Sequence, residues 1–133
     1  MNKFLTLIFM IFFKISYLNA EIVNQIEING NKRVSVETVK VYGDIKPTGS
    51  NFTKADLDKI LKNLYNTNFF ETINVQIKNK KLIINLKEYP VVNELIILGE
   101  PSNKFKDQII KIISTKAKGS FIENNINNDI KTV

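Results

Sequence analysis

The sequence predicts an α+β fold of order β-α-α-β-β, a three-stranded sheet whose one apolar face is covered by two helices. Three observations point there. Leu57, Ile60, Leu61 and Leu64 recur at the 3.6-residue spacing of an amphipathic helix. Two later runs, 69–77 and 82–87, switch to a period of two and are parted by a polar turn at 78–81. An earlier stretch, 22–28, ends in the same alternation.

Composition narrows the function. A chain of 133 residues, 44% apolar with five Gly and three Pro, is built to fold around a core. Its +6 net charge is almost wholly lysine, Arg33 being the single arginine, and the lysines are scattered among Asp and Glu. Without a basic face carrying aromatics or guanidinium forks, no nucleic-acid partner is expected. The absence of Cys and His excludes disulfides, thiol catalysis and the common zinc sites, and no cofactor is expected.

Residues 1–20 have the proportions of a secretory signal peptide: Lys3 near the start, an apolar run from Phe4 to Phe13, then a polar stretch closing on Ala20. The run is half the roughly 20 residues a spanning helix needs. Lys14 would cost about 2.5–3.5 kcal/mol near the centre of such a span. Cleavage is expected after Ala20, and an exported protein without disulfides must then hold itself together by packing.

The mature chain begins with a strand at 22–28, Ile26 and Ile28 sharing a face, closed by Asn29, Gly30 and Asn31. Ser35 caps a short helix through Tyr42, with Glu37 in the first turn and Val36, Val39 and Tyr42 on one side, and Gly43 stops it. Pro47, Gly49 and Ser50 mark a loop. Thr53 with Asp56 forms a capping-box-like start to the second helix, which should end between Tyr65 and Asn68. In the following strand Phe69, Ile73, Val75 and Ile77 face one way, and Phe70, Thr72, Asn74 and Gln76 the other. The turn leads to Leu82, Ile84 and Leu86 on one face of the last strand, which Pro90 ends. So small a core should leave a single unit only a few kcal/mol stable.

The chain also repeats. A shift of 69 residues pairs Ile26 with Leu95, Ile28 with Ile97, Gly30 with Gly99, Phe52 with Phe121, Leu57 with Ile126, Leu61 with Ile130 and Leu64 with Val133. The expected division is therefore a signal peptide at 1–20, one unit at 21–89, and at 90–133 the first strand (93–98) and two helices (102–114 and 121–133) of an incomplete second unit. Its apolar helical surface should stay exposed.

The runs IEINGNKRV (26–34), LYNTNFF (64–70) and LIINLKEYP (82–90), with Gly49 between, resemble the first POTRA module of BamA-type outer-membrane protein assembly factors. The resemblance covers the mature chain to its end and is weaker in the second copy, where Glu100 follows Gly99. It implies a location at the periplasmic face of the outer membrane, unfolded outer-membrane proteins as clients, assembly-complex lipoproteins as partners, and a membrane barrel that this chain lacks. Related families also carry such modules, among them two-partner secretion and translocation transporters and membrane-anchored FtsQ-type division proteins.

Physical roles accompany the motifs. Gly30 should adopt a turn conformation closed to other residues, Phe69 should fix the second helix to the hairpin, and residues 88–90 should end the last strand and open a linker at Pro90. The physics available for client capture is strand addition, with backbone groups pairing to an extended peptide. The candidate edge is 69–77, with Phe70, Thr72, Asn74 and Gln76 as its uncharged outward contacts. No catalytic role is expected: Asp56 and Asp58 point apart on a helix, no Ser sits in a nucleophile motif, and Gly30 lies in no phosphate-binding loop.

Overall fold

A computed structural model describes residues 20–133. The signal-peptide reading of 1–20 lies outside the described residues but for Ala20. Among the described residues no helix is long and apolar enough to cross a membrane.

The first unit runs β1 (Glu21–Ile22), β2 (Gln25–Asn29), α1 (Val36–Tyr42), β3 (Asn51–Phe52), α2 (Lys54–Asn66), β4 (Phe70–Lys78) and β5 (Lys81–Glu88). The main sheet has the order β2-β5-β4, with β2 parallel and β4 antiparallel to the central β5. Leu82, Ile84 and Leu86 of β5, Ile73 of β4, Val39 of α1 and Ile60 and Leu64 of α2 are buried together, so both helices cover one face as the two periodicities require. Ile26 and Ile28 align with Leu82 and Ile84 and complete that apolar face.

The helix boundaries follow from their caps. The Ser35 hydroxyl accepts from the Thr38 amide, and Thr53 with Asp56 forms a complete capping box. Lys46, 2.7 Å from Asp56, joins the Thr53 amide and hydroxyl in pulling that carboxyl down to about 2. At the end of α1 Gly43 keeps right-handed geometry and the left-handed residue is Asp44, φ +51°. Asn79 and Lys80, φ +52° and +58°, make the two-residue turn between β4 and β5, the type I′ geometry that suits a right-twisted hairpin.

Two expected strands differ. The stretch 22–28 divides at Val23 and Asn24: β1 pairs with β3 in a separate small sheet, while Val23 N–H turns to Ser50 O (3.1 Å) and Asn24 N–H to Lys80 O (2.8 Å). Val23 and Phe52 are thereby buried in the core.

Residues 92–98 form no strand. Their counterpart β2 exists by pairing with β5, and among the described residues no strand stands beside 92–98. What the second half does contain is α3 (Asn103–Ile112), α4 (Glu123–Thr132) and a single bridge between Val91 and Ser120.

Candidate functional site: the free edge of the sheet

β4 is an edge strand, and its hairpin decides which backbone groups face outward. A two-residue turn makes Lys78 and Lys81 the closing hydrogen-bonded pair, and such pairs alternate in an antiparallel ladder. Asn74 and Gln76 therefore bond to β5, while the N–H and C=O of Ile73, Val75 and Ile77 point to the free edge. A contact from α2 agrees: the Tyr65 hydroxyl accepts the outward Ile73 amide at 3.3 Å. Among the described residues, the amides left open are those of Val75 and Ile77.

Side chains divide along the same strand. Ile73, Val75 and Ile77 lie on the helix-covered face, and Thr72, Asn74 and Gln76 are exposed on the open one. There Asn74, Asn85 and Asn29 form one row across the three strands, with Asn29 Nδ2 donating to Asn85 Oδ1 at 3.2 Å. The opposite edge, β2, carries Glu27, ion-paired with Lys81 at 2.9 Å. A charge on an edge discourages pairing, and the middle of β4 has none.

Phe70 is not an outward contact. The ladder shifts register between Phe70 and Thr72, so one extra residue turns Phe70 onto the Ile73 side, where it is 1% exposed. Simple alternation from Thr72 assigned it to the wrong face. Phe69 is half-buried, and its ring meets Tyr42 of α1 at 5.8 Å and Phe70 of β4 at 6.2 Å, both edge-to-face, so its aromatic contacts join the first helix to the hairpin.

Pro90 follows the end of β5 at Glu88, but no free linker starts there. Its carbonyl accepts the Phe121 amide at 2.7 Å, and the Val91–Ser120 bridge comes next. Gly30 has φ +84°, and a Cβ there would stand 2.0 Å from the Leu86 carbonyl oxygen. Both conformation and close approach thus demand glycine.

Sequence reasoning passed over Glu88 as a strand-end charge. Its carboxylate accepts the successive amides of Lys32 (2.8 Å), Arg33 (3.0 and 3.1 Å) and Val34 (2.9 Å), with Arg33 Nε 3.7 Å away. Burial works to raise its pKa, but those amides and the guanidinium outweigh burial and hold it below the ordinary carboxylate value. The clasp fixes the β2–α1 loop to the end of β5. Its only signal in the sequence was an acid ending a strand in a chain whose NKRV loop must return to that place.

Among the described residues no group of three or more acidic side chains is placed to hold a metal ion. The site's chemistry is that of a backbone edge with one polar and one apolar flank.

The family model described as "POTRA: Surface antigen variable number repeat" matches residues 21–89. No curated protein matches the chain. Among solved structures, the N-terminal domain of Omp85 from the thermophilic cyanobacterium Thermosynechococcus elongatus is similar with a TM-score of 0.57 at 14% identity, over 86% of this chain and 49% of that one. POTRA1-2 of the periplasmic domain of Omp85 from Anabaena gives 0.53 at 13% identity, over 86% of this chain and 76% of that one. POTRA1-3 from the same Anabaena protein gives 0.51 at 14%, over 86% and 49%. The chain spans about half the length of the first of these structures.

Proposed function

This chain belongs to the POTRA family, and from that premise we propose that it is the periplasmic, client-receiving portion of a BamA-type outer-membrane protein assembly factor. In this reading residues 1–20 direct export and are removed. Residues 21–89 form a first POTRA unit and residues 90–133 part of a second. The role is binding without catalysis: unfolded outer-membrane proteins add to the sheet as an extra strand, and partner lipoproteins dock on the units, while a barrel outside this chain performs insertion.

The observation that carries the reading is the free edge of β4. Its open amides at Val75 and Ile77 offer main-chain bonds independent of client sequence. Its two flanks differ, Val75 and Ile77 half-buried on one side and Asn74 and Gln76 exposed on the other. A strand of a membrane barrel has the same two-sided alternation of apolar and polar residues. Such a strand would lay its apolar row beside the helices and its polar row beside the asparagines.

The test is Val75→Pro, which removes an outward N–H and leaves the Asn74 and Gln76 bonds to β5 in place. With a synthetic peptide of a barrel strand as probe, loss of one or two backbone bonds of about 1 kcal/mol each should weaken binding about tenfold. Helical and sheet circular dichroism should be retained. A folded variant that binds the peptide unchanged rules out this edge.

A further inference from the structure

Helix α2 and the edge strand keep step with each other. Residues 67–69 turn α2 back into β4, so helix and strand run in opposite directions. Four residues of helix advance about 6 Å, and two residues of strand about 6.8 Å. From Tyr65 the stripe of α2 therefore continues through Leu61 and Leu57, while from Ile73 the outward backbone groups of β4 continue through Val75 and Ile77. Leu57, Leu61, Val75 and Ile77 are all half-buried against the same core. Along the edge, the helix thus offers one side chain with an acceptor, followed by two without.

The side chain with the acceptor closes an amide. Ile73 is buried and its N–H points out of the sheet edge, where a bare donor would be costly. The Tyr65 hydroxyl accepts that bond at 3.3 Å, from the place that a neighbouring strand's carbonyl would take. Leucine has no acceptor for Val75 and Ile77, whose amides stay open among the described residues. At the other end the run stops at Asn79 and Lys80, whose left-handed turn carries the chain into β5, and the Lys80 amide meets Glu21 Oε1 at 3.4 Å. The open edge is short and bounded on both sides.

We infer that Tyr65 is the stop that sets where an added strand ends. Its hydroxyl stands in for a partner strand's carbonyl at Ile73, so an extended client pairs with Val75 and Ile77 and gains nothing by reaching further along β4. The inference rests on β4 being the receiving edge. A client carbonyl that did reach Ile73 would only replace a bond already made, and the exchange is close to neutral. An edge with two open amides holds an extended segment in one register and loosely, a grip suited to release. Without the hydroxyl, β4 would offer a third amide, bind more tightly and present a longer template for pairing between copies of the protein.

Tyr65→Phe keeps the ring and removes only the oxygen. With a synthetic barrel-strand peptide as probe, the variant should bind about fivefold more tightly than the wild-type chain, the worth of one backbone hydrogen bond. Amide-resolved hydrogen exchange should show the peptide slowing Val75 and Ile77 in both proteins. In the variant the free Ile73 amide should exchange faster than in the wild type, and the peptide should slow it as well. Equal or weaker binding by the variant, with Val75 and Ile77 still protected, overturns the inference: the hydroxyl would be a structural cap alone, and the receiving edge would stand. Tighter binding without protection at Ile73 overturns it too, since the gain would come from elsewhere. Absence of protection at Val75 and Ile77 in both proteins rejects the edge itself, and the stop with it.

Discussion

The first unit and the second half share a bridge, a loop and the start of a helix, yet the first buries ten apolar side chains in one cluster and the second buries only Ile113. Their helices are similarly amphipathic in sequence. The difference is the hairpin, which supplies a flat apolar surface that both helices can touch at once. Caps, bridges and turns therefore arise from local sequence, while the core arises when a distant segment arrives, as expected where burial provides most of the stability of short helices.

The sharpest way to break the comparison is at the paired glycines. Gly30→Ala adds left-handed strain of about 1–2 kcal/mol and a collision with the Leu86 carbonyl costing about 1–3 kcal/mol more. This should unfold the first unit or lower its urea midpoint severely. Gly99→Ala meets no atom and should cost only the strain of about 1–2 kcal/mol. Equal losses at the two sites would show that conformation alone, and not the neighbouring strand, sets the requirement.

Next come the counterparts Leu64 and Val133. Leu64 is fully buried, so Leu64→Ala should destabilise by about 2–5 kcal/mol in thermal or urea unfolding. Val133 is 69% exposed, and Val133→Ala should stay within about 0.5 kcal/mol.

The smallest effect concerns Glu88. Because its pKa is lowered on folding, its contribution is fully present above the ordinary carboxylate value of about 4.3. It is lost as pH falls through the depressed folded value, where the unfolded state binds the extra proton. Glu88→Gln should cost about 1.5–3 kcal/mol at neutral pH and flatten that part of the acid unfolding curve. A variant with the wild-type acid profile would remove the clasp from the stability of the unit.

Much of the first unit was legible because its signals are periodic or local. The Leu57–Leu64 stripe, the Thr53–Asp56 box and the alternation on either side of 78–81 each appear in the structure where the spacing put them. Phe70 was misplaced because a bulge changes backbone phase without changing residue type. β1 and β3 were missed because two residues make no period, and residues 93–98 were expected as a strand because alternation reports a face and not a partner. At the candidate site the polar row Thr72, Asn74 and Gln76 could be read. Which amides point outward could not, since that depends on the turn type and on Tyr65, eight residues away.

Glu88 is the last residue of β5, two positions before the chain leaves the unit at Pro90. Because its carboxylate grips the loop between β2 and α1, a pull on the polypeptide at that exit does not peel β5 away alone. The load is shared with a loop some fifty residues earlier in the chain. Tension along the chain would thus meet a closed mechanical circuit, and the unit should yield as a whole instead of fraying strand by strand.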